Sequence, residues 1–338
     1  MNEITVSLRK EIVLVPSGLY SFQFARSRYV IPPWYDDGTK LIRILRDHTS
    51  VPVWGIVIRA NHEIVTEKLF IEIYADKNWK EDDAAKIEDI IIGCLHLESP
   101  IDQAIINMST EDVVLETAVK HNGWNRGKSY PSLFEALCGV ICAQRSNFSR
   151  VSTMMGKMCQ FIGPKVKFPN GSEYSGFPSA KEIVDAGPDI LKQCGLGFRA
   201  KRVFDLSSMW LSKGYSVLEI NPPDNVQELL IALPGVGPYT ANLATNLTFS
   251  LNKKSTISKP KEPHIDSYVK AIISCFYLNG ISLDDEELKT YIIGKWGAYS
   301  ETIVGLLTTD TEEWGSTLGF ELPVRSGAKA QYQKPPDN

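Results

Sequence analysis

The chain has 338 residues, of which 43% are apolar and 22% charged, and its formal net charge is −4. This length is sufficient for two domains with buried cores, and the sequence has no apolar run long enough to span a membrane as a helix. Residues 1–10 lack a secretory signal pattern, and the six cysteines lack C-x-x-C spacing, which argues against a disulfide framework or a zinc ribbon. We therefore expect an intracellular protein, located in the cytoplasm or nucleoid if the cell is prokaryotic, with no membrane partner.

The first part of the chain has the signals of a small antiparallel sheet followed by helices. Short β-branched or aromatic runs between turn residues predict strands over Glu11–Val15, Tyr20–Val30, Val51–Ala60 and Leu69–Ala75. Apolar residues at helical spacing then predict helices over Ala84–Leu97 and Ser109–Asn122. We assign residues 1–120 to an N-terminal antiparallel β/α domain, in which we identify no catalytic group.

The rest of the chain is predominantly helical from Tyr130 to about Leu318, with glycine- and proline-containing breaks such as residues 163–178. The sequence therefore predicts an α+β fold, in which residues 121–320 form a mostly α-helical core. The polar, proline-containing residues 321–338 predict a disordered tail.

The charge is distributed unevenly along the chain. Residues 1–120 contain 13 basic and 19 acidic side chains, a net charge of −6, and residues 273–338 have a net charge of −5. Residues 121–272 contain 18 basic and 11 acidic side chains, a net charge of +7. This central excess is typical of a surface that contacts phosphates, although lysines in a loop can also serve only for solubility.

The run Leu233-Pro-Gly-Val-Gly-Pro-Tyr-Thr-Ala-Asn242 predicts two helices joined by a tight hairpin, over residues 226–250. The first helix has apolar helical spacing, and Asp224 or Asn225 is placed to cap its N-terminus. Pro234 and Gly235 would end it, and we expect Gly237 to take a positive φ. Pro238 suits the first position of the second helix because a missing N–H costs nothing there.

Such a hairpin can bind a DNA phosphate through backbone N–H groups without reading the sequence. The predicted contacts are Gly235, Val236, Gly237 and Thr240. The carbonyls of Ile231, Leu233 and Gly235 face the same loop, so they are candidates to hold a structural Na⁺ or K⁺. The alternative is a plain helical corner, because short motifs of this kind also occur by chance.

A second motif, His264-Ile-Asp-Ser-Tyr268, lies in the segment 263–276 and supplies a carboxylate at Asp266. A carboxylate near a sugar can stabilise developing positive charge and orient or deprotonate water. The alternative role is the N-cap of the following apolar helix. The two roles are compatible, since a capping aspartate is well oriented. We assign no chemistry to His264.

With these motifs the chain resembles the helix-hairpin-helix (HhH-GPD) DNA glycosylase superfamily over roughly residues 120–310, especially its alkylpurine branch, 3-methyladenine DNA glycosylase II, and also its 8-oxoguanine branch. The matching segments are Leu233–Gly237, Asp266, Gly195–Arg202, Lys295–Tyr299 and Phe134–Ser146. The resemblance implies a helical HhH-GPD core preceded by a small antiparallel β-sheet-plus-helix domain. It also implies Asp266 as the catalytic residue and DNA as the partner.

Three departures from the family pattern refine the prediction. Bifunctional members carry a lysine two residues beyond the last glycine of the hairpin, where this chain has Tyr239, which cannot form an imine. The resemblance therefore implies a monofunctional enzyme. No cysteine follows Cys275, so the C-terminal iron–sulfur cluster of many members cannot form, and no cofactor is required. The segment Ser250–Pro263, between the second hairpin helix and Asp266, is longer than the corresponding segment in most members of the family.

Chemistry on a stacked base requires that the nucleotide be flipped out of the duplex, which leaves a gap to be filled. Arg145, at the end of the Phe134–Gln144 helix, is the candidate plug, with Gln144 beside it; the alternative role is an ordinary solvated arginine at a helix end. Basic candidates for phosphate contacts are Lys201, Arg202 and Lys270, together with loop residues Lys253, Lys254, Lys259 and Lys261. Aromatic candidates for the base pocket are Tyr239, Trp124, Trp296, Tyr299 and Phe22; Tyr239 is the strongest of them, and core packing is the preferred role for the two tryptophans.

The sequence leaves three functions open. The first is a monomeric, monofunctional glycosylase that removes an alkylated purine from double-stranded DNA in base excision repair and leaves an abasic site. The second is a glycosylase for oxidised or mismatched bases, because Asn147–Met154 also resembles 8-oxoguanine glycosylases. The third is a non-catalytic DNA-binding protein, since the hairpin alone serves as a phosphate grip in other proteins.

Overall fold

The computed structural model describes residues 3–18, 20–28, 30–46, 53–60, 68–98, 101, 103–123, 125–248, 263 and 265–319. Four sets of predictions fall outside these ranges: Trp124, His264, the lysines of the segment 250–262 and the tail 321–338. Within the described ranges, no helix has both the length and the apolar composition needed to cross a membrane.

A five-stranded antiparallel sheet forms the centre of the N-terminal part. Its strands, in spatial order, are β2 (Ser7–Leu14), β6 (Leu69–Ala75), β5 (Val53–Ala60), β4 (Leu41–Arg46) and β3 (Trp34–Asp36). One face of the sheet packs on helix α2 (Asp83–Cys94), whose Ile87 and Ile91 are fully buried. The predicted strands Val51–Ala60 and Leu69–Ala75 correspond to β5 and β6, and the predicted helix Ala84–Leu97 corresponds to α2.

One predicted element is wrong and another starts later than predicted. The predicted strand Tyr20–Val30 contains helix α1 (Phe22–Ser27), which begins where the Ser21 hydroxyl accepts a hydrogen bond from the Phe24 N–H at 3.1 Å. The predicted helix Ser109–Asn122 corresponds to α4 (Val113–Asn122), and a separate helix, α3 (Gln103–Ser109), precedes it. Helix α4 starts after Asp112, whose carboxylate accepts from the Leu115 N–H at 3.0 Å.

A second, three-stranded sheet covers the other face of the main sheet. The first strand β1 (Glu3–Thr5) pairs in parallel with β7 (Lys165–Lys167), which pairs with β8 (Glu173–Ser175). The hairpin β7–β8 places the Phe168 ring directly on Gly55 of β5, where an added Cβ would lie 2.4 Å from Phe168 Cζ. The two sheets are thus packed together, although their strands come from distant parts of the sequence.

The remaining chain is helical. The central helix α5 (Leu133–Ala143) is buried along almost its whole length, from Leu133 to Cys142. The other helices are α6 (Phe148–Phe161), α7 (Ala180–Gln193), α8 (Arg199–Ser212), α9 (Val217–Ile220), α10 (Val226–Ile231), α11 (Pro238–Asn246), α12 (Ser267–Tyr277), α13 (Asp285–Trp296), α14 (Ser300–Thr308) and α15 (Thr311–Trp314). Helices α12–α14 share a separate core with α3 and α4. The predicted α+β fold class is confirmed.

Two ion pairs connect the main sheet to the helical core. Arg43 of β4 lies 2.6 Å from Glu135 of α5, and both side chains are almost completely buried. The neighbouring Arg46 binds Glu182 of α7 through two hydrogen bonds. The sheet and the helices are therefore joined by a buried polar contact as well as by apolar packing.

Candidate active site

The hairpin joins α10 to α11 as the sequence predicted, but the positive φ that was expected at Gly237 is found at Gly235. Gly235 has the positive φ, at +77°, whereas Gly237 is extended, with φ −97° and ψ 179°. Pro238 occupies the first turn of α11, as expected. Asn225 is the N-cap residue of α10, but its side chain makes no capping hydrogen bond, so that part of the prediction is wrong.

Gly235 is required for a second reason, which is close packing against α8. A Cβ built on Gly235 would lie 3.0–3.1 Å from the Cβ, Cγ and Cδ atoms of Arg202. The same construction on Gly237 meets nothing within 4 Å among the described residues. The stem of Arg202 therefore packs against the hairpin backbone, and the guanidinium is held at the edge of the loop.

We expect Gly235→Ala to weaken DNA binding and Gly237→Ala to be tolerated by the fold. At Gly235 an alanine meets both the left-handed backbone penalty of about 1–2 kcal/mol and the stem of Arg202. At Gly237 the extended backbone accepts any residue. Urea unfolding and duplex-binding titrations of both variants would measure this difference. Equal unfolding free energies for the two alanine variants would contradict the assignment of the turn to Gly235.

Gln144 connects the end of α5 to the hairpin. Its Nε2 donates hydrogen bonds to the Gly235 carbonyl at 3.0 Å and to the Thr240 hydroxyl at 3.3 Å, and its Oε1 accepts one from Arg202. Its backbone carbonyl accepts from Arg199 Nε at 3.0 Å. The amide group that the sequence suggested for DNA contact is thus used to hold the hairpin in place.

The predicted cation site involves carbonyls that already accept hydrogen bonds. The Gly235 carbonyl accepts from Gln144, and the Leu233 carbonyl accepts from the Val236 N–H at 3.1 Å. Each carbonyl oxygen has two lone pairs, so each retains one for a cation. The oxygens of Ile231, Leu233 and Gly235 are thus compatible with a monovalent ion, and the site stays a prediction.

A cavity of about 510 Å³ opens between the hairpin, the end of α5 and the start of α8. Its walls are formed by Gln144, Arg145, Phe198, Arg202, Tyr239 and Thr240. Five of these six residues were predicted as DNA-binding or base-pocket residues, and the structure brings them together. The cavity is large enough for a nucleobase.

Arg145 and Phe198 are two of the four exposed residues around this cavity, with Arg202 and Tyr239. Arg145 follows α5 with a positive φ of 52°, which is uncommon outside glycine and turns the chain sharply there. Phe198 is 53% exposed and packs against two guanidinium groups, with Arg199 Cζ 4.4 Å and Arg202 Cζ 5.1 Å from its ring centroid. Sequence reasoning missed Phe198, although it stands inside the recognised segment Gly195–Arg202.

Asp266 is the N-cap of α12 and is half-buried. Its Oδ1 accepts hydrogen bonds from the Tyr268 N–H at 2.9 Å and the Val269 N–H at 2.8 Å. In the described part of the chain, only Oδ1 takes part in this capping, so the carboxylate is fixed while Oδ2 is left for other contacts. The predicted capping role is confirmed.

Tyr239 connects the carboxylate to the cavity. The ring is 55% exposed at the first turn of α11. Partial burial raises the pKa of the Tyr239 hydroxyl, and the nearby negative charge of Asp266 raises it further. The charge of Asp266 therefore acts on Tyr239, which is one of the residues that line the cavity.

Two of the predicted pocket aromatics pack elsewhere. Phe22 is buried in the core between α1 and the main sheet, and Trp296 is buried in the C-terminal core against Tyr277, with ring centroids 5.3 Å apart. Both assignments to the pocket are corrected, because burial leaves their rings no surface on which a base could stack. Tyr299 packs at the edge of the same C-terminal core.

The predicted lysines form exposed ion pairs. Lys201 lies 2.5 Å from Asp205 one turn along α8, and Lys270 of α12 pairs with Asp285 of α13. Exposed pairs of this type contribute little to stability, so either lysine can exchange its carboxylate for a phosphate.

Comparisons with known proteins support the same fold. No family model matches the chain. The structure superimposes on 3-methyladenine DNA glycosylase from Archaeoglobus fulgidus with a TM-score of 0.72 and 18% identity, covering 90% of this chain and 99% of that one. It superimposes on the 8-oxoguanine glycosylase/lyase of Clostridium acetobutylicum, in complex with double-stranded DNA containing cytosine opposite 8-oxoguanine, with a TM-score of 0.60 and 16% identity, covering 89% and 99%.

A curated relative, the N-glycosylase/DNA lyase of Saccharomyces cerevisiae, is 22% identical over 213 residues. The match covers 55% of this chain and 56% of that protein, so the chain spans little more than half of the length of this relative. Together these similarities confirm the predicted fold, which is that of the helix-hairpin-helix DNA glycosylases.

Proposed function

We propose that the protein is a DNA glycosylase that hydrolyses the bond between a damaged base and its sugar. The observation that carries the proposal is the position of Asp266. Its carboxylate is fixed at the start of α12 and lies within electrostatic reach of Tyr239, which follows the phosphate-binding hairpin. A protein that only binds DNA needs the hairpin, and it could cap α12 equally well with a neutral serine or asparagine.

In the proposed mechanism the hairpin binds a phosphate and the target nucleotide leaves the duplex. Arg145, projecting from the sharp turn after α5, fills the gap in the stack. As the N-glycosidic bond breaks, positive charge develops on the sugar, as it does in glycoside hydrolysis. Asp266 stabilises this charge and deprotonates the attacking water, so the products are a free base and an abasic site.

The finer proposal is that the enzyme is monofunctional. A lyase step needs an amine that forms an imine with the sugar, and Tyr239 stands where the bifunctional relatives have lysine. A phenol cannot form an imine. Water is then the nucleophile, and the strand stays intact after base release.

The proposed substrate is an alkylated purine in double-stranded DNA. Tyr239 and Phe198 offer exposed π surfaces at one cavity, and such surfaces attract the positive charge of an alkylated base. The bond in such a base is already weak, so little protonation of the leaving group is needed. The second candidate is an oxidised base, which the similarity to the Clostridium 8-oxoguanine glycosylase/lyase favours. We further propose that the protein acts as an intracellular monomer without a required cofactor.

Base release from a panel of duplexes tests the proposal. The panel contains 3-methyladenine, hypoxanthine, 8-oxoguanine, uracil and a G·T mismatch, each in the same sequence context. Release of 3-methyladenine would support the alkylpurine assignment, and release of 8-oxoguanine would move the assignment to the oxidised-base branch. Tight binding to every duplex with no release from any of them would leave a non-catalytic DNA-binding protein.

We expect sodium borohydride to trap no covalent complex between the protein and its substrate duplex. Borohydride reduces an imine to a stable amine, and Tyr239 cannot supply the imine. The measurement is gel electrophoresis of the reaction after borohydride treatment, with Tyr239→Lys as a variant that places an amine at this position. Efficient trapping of the unmodified protein would contradict the monofunctional assignment.

A further inference from the structure

The start of helix α5 is held by a residue from a distant segment. The side chain of Glu219, in α9, accepts hydrogen bonds from the Leu133 N–H at 2.7 Å and from the Phe134 N–H at 2.9 Å. The hydroxyl of Ser132 accepts a third bond, from the Glu135 N–H at 3.1 Å. Three of the first N–H groups of α5 are thus satisfied, two of them by one half-buried carboxylate.

The other end of α5 leads directly to the cavity. Gln144 follows its last residue and binds the Gly235 carbonyl and the Thr240 hydroxyl, and Arg145 comes next. The helix between is buried from Leu133 to Cys142 and packs against α8 and α11. A shift at its start is therefore transmitted to its end, because a buried helix moves as a rigid rod rather than by bending.

We infer that Glu219 is a positioning residue for DNA binding: its carboxylate fixes the start of α5 and thereby the placement of Gln144 and Arg145 at the cavity. The inference rests on the proposed function, in which these two residues face DNA. Glu219 itself lies at the opposite end of the helix and touches neither DNA nor the reacting atoms. Its effect is transmitted through α5 alone.

The environment of Glu219 makes its hydrogen bonds to the start of α5 dependent on pH. Burial is the largest effect on the pKa of Glu219 and raises it. The two backbone N–H groups lower this pKa, and the neighbouring carboxylate of Glu135 raises it. The resulting pKa is about 7. Glu135 is in turn paired with Arg43. A protonated carboxyl group has one good acceptor oxygen instead of two, so below neutral pH one N–H of α5 loses its partner.

Stability and DNA binding should therefore change in opposite directions with pH. The raised pKa means that the folded protein binds this proton more tightly than the unfolded chain does. The stabilisation by protonated Glu219 is complete below the ordinary pKa of a glutamate and is lost as the pH rises through about 7. DNA binding requires the charged form and should rise over the upper part of the same range.

The test compares the full-length protein with Glu219→Gln and Ser132→Ala. Glutamine has the shape of a protonated glutamate at every pH, whereas Ser132→Ala removes a neutral cap from the same helix start. The probe is a duplex with a stable abasic-site analogue, titrated between about pH 6 and pH 8 at constant ionic strength. We expect the affinity of the unmodified protein to rise about tenfold over this range, the equivalent of one charge-assisted hydrogen bond.

We expect the affinity of Glu219→Gln to stay at the low-pH value throughout, and Ser132→Ala to keep the pH dependence of the unmodified protein. Urea unfolding provides the second readout, in which the unmodified protein loses stability relative to Glu219→Gln as the pH rises. Parallel pH profiles of binding for the unmodified protein and Glu219→Gln would overturn the inference.

Amide exchange keeps the test independent of the proposed function. The N–H groups of Gln144 and Ser146 donate to the carbonyls of Ile141 and Ala143 at 3.2 and 3.1 Å, and so report the end of α5. Their protection, corrected for intrinsic exchange, should rise with pH in the unmodified protein and stay constant in Glu219→Gln. If the protein binds no duplex, the proposed function fails, and this measurement still supports or overturns the coupling along α5.

Discussion

Asp266→Asn is expected to reduce base release by about a hundred- to ten-thousandfold, the range for loss of a general base, while the fold and DNA binding survive. The amide cannot accept a proton from water and carries no charge to stabilise the sugar cation. Asparagine is as good an N-cap as aspartate, so the bonds from Tyr268 and Val269 can be retained. Single-turnover base release and duplex-binding titrations measure the two properties separately.

Asp284→Asn is the matched control. Asp284 caps α13 as Asp266 caps α12, accepting from the N–H groups of Glu286 and Glu287 at 3.0 and 2.9 Å. The same substitution there should leave base release unchanged. Equal losses of activity in the two variants, or a loss of DNA binding in Asp266→Asn, would remove the catalytic role from Asp266.

The second large effect concerns stability. Glu135→Leu should reduce the free energy of unfolding by about 3–5 kcal/mol, because it leaves the buried guanidinium of Arg43 without its partner. Arg43 would remain charged in the core, because arginine does not lose its proton in proteins. Urea unfolding monitored by tryptophan fluorescence is a suitable measurement, because Trp34 lies 5.1 Å from the Arg43 guanidinium.

The double variant Arg43→Met with Glu135→Leu should recover most of this loss, since it replaces both charges by apolar groups of similar volume. Asp185→Ala, which breaks the exposed pair with Lys181, should cost less than about 1 kcal/mol. A double variant no more stable than Glu135→Leu alone would show that shape rather than charge determines the packing between β4 and α5.

The elements with a clear sequence period were predictable. Strand β6 shows strict alternation of buried and more exposed residues, and α2 and α5 begin and end near their predicted limits. Strand β4 was missed because Leu41–Leu45 is buried on both faces, which removes the alternation. The helix α1 was mistaken for a strand because a short aromatic run does not distinguish the two. Strands β7 and β8 are charged and short; they pair with each other, and β7 also pairs with the distant strand β1.

The candidate site likewise contains residues that the sequence predicted and residues that it did not. The hairpin and Asp266 were found because each motif is contiguous in the sequence, and a capping aspartate is visible beside the helix that it caps. The roles of Gln144 and Glu219 depend on contacts between residues 91 and 86 positions apart, which no local pattern records. Phe22 and Trp296 were placed wrongly for the related reason that an aromatic side chain suits a pocket and a core equally well.

The packing of Phe168 on Gly55 also bears on biosynthesis. Residues 41–75 contain three of the five strands of the main sheet, β4, β5 and β6, yet the hairpin that covers its outer face is translated only after α6. At about 5–20 residues per second, a ribosome needs roughly 5–20 seconds to pass from the end of β6 to β8. During this interval the apolar side chains Ile42, Ile44 and Val57 stay open to water in the nascent chain. An uncovered apolar face of this kind is prone to associate with other chains until the hairpin is made.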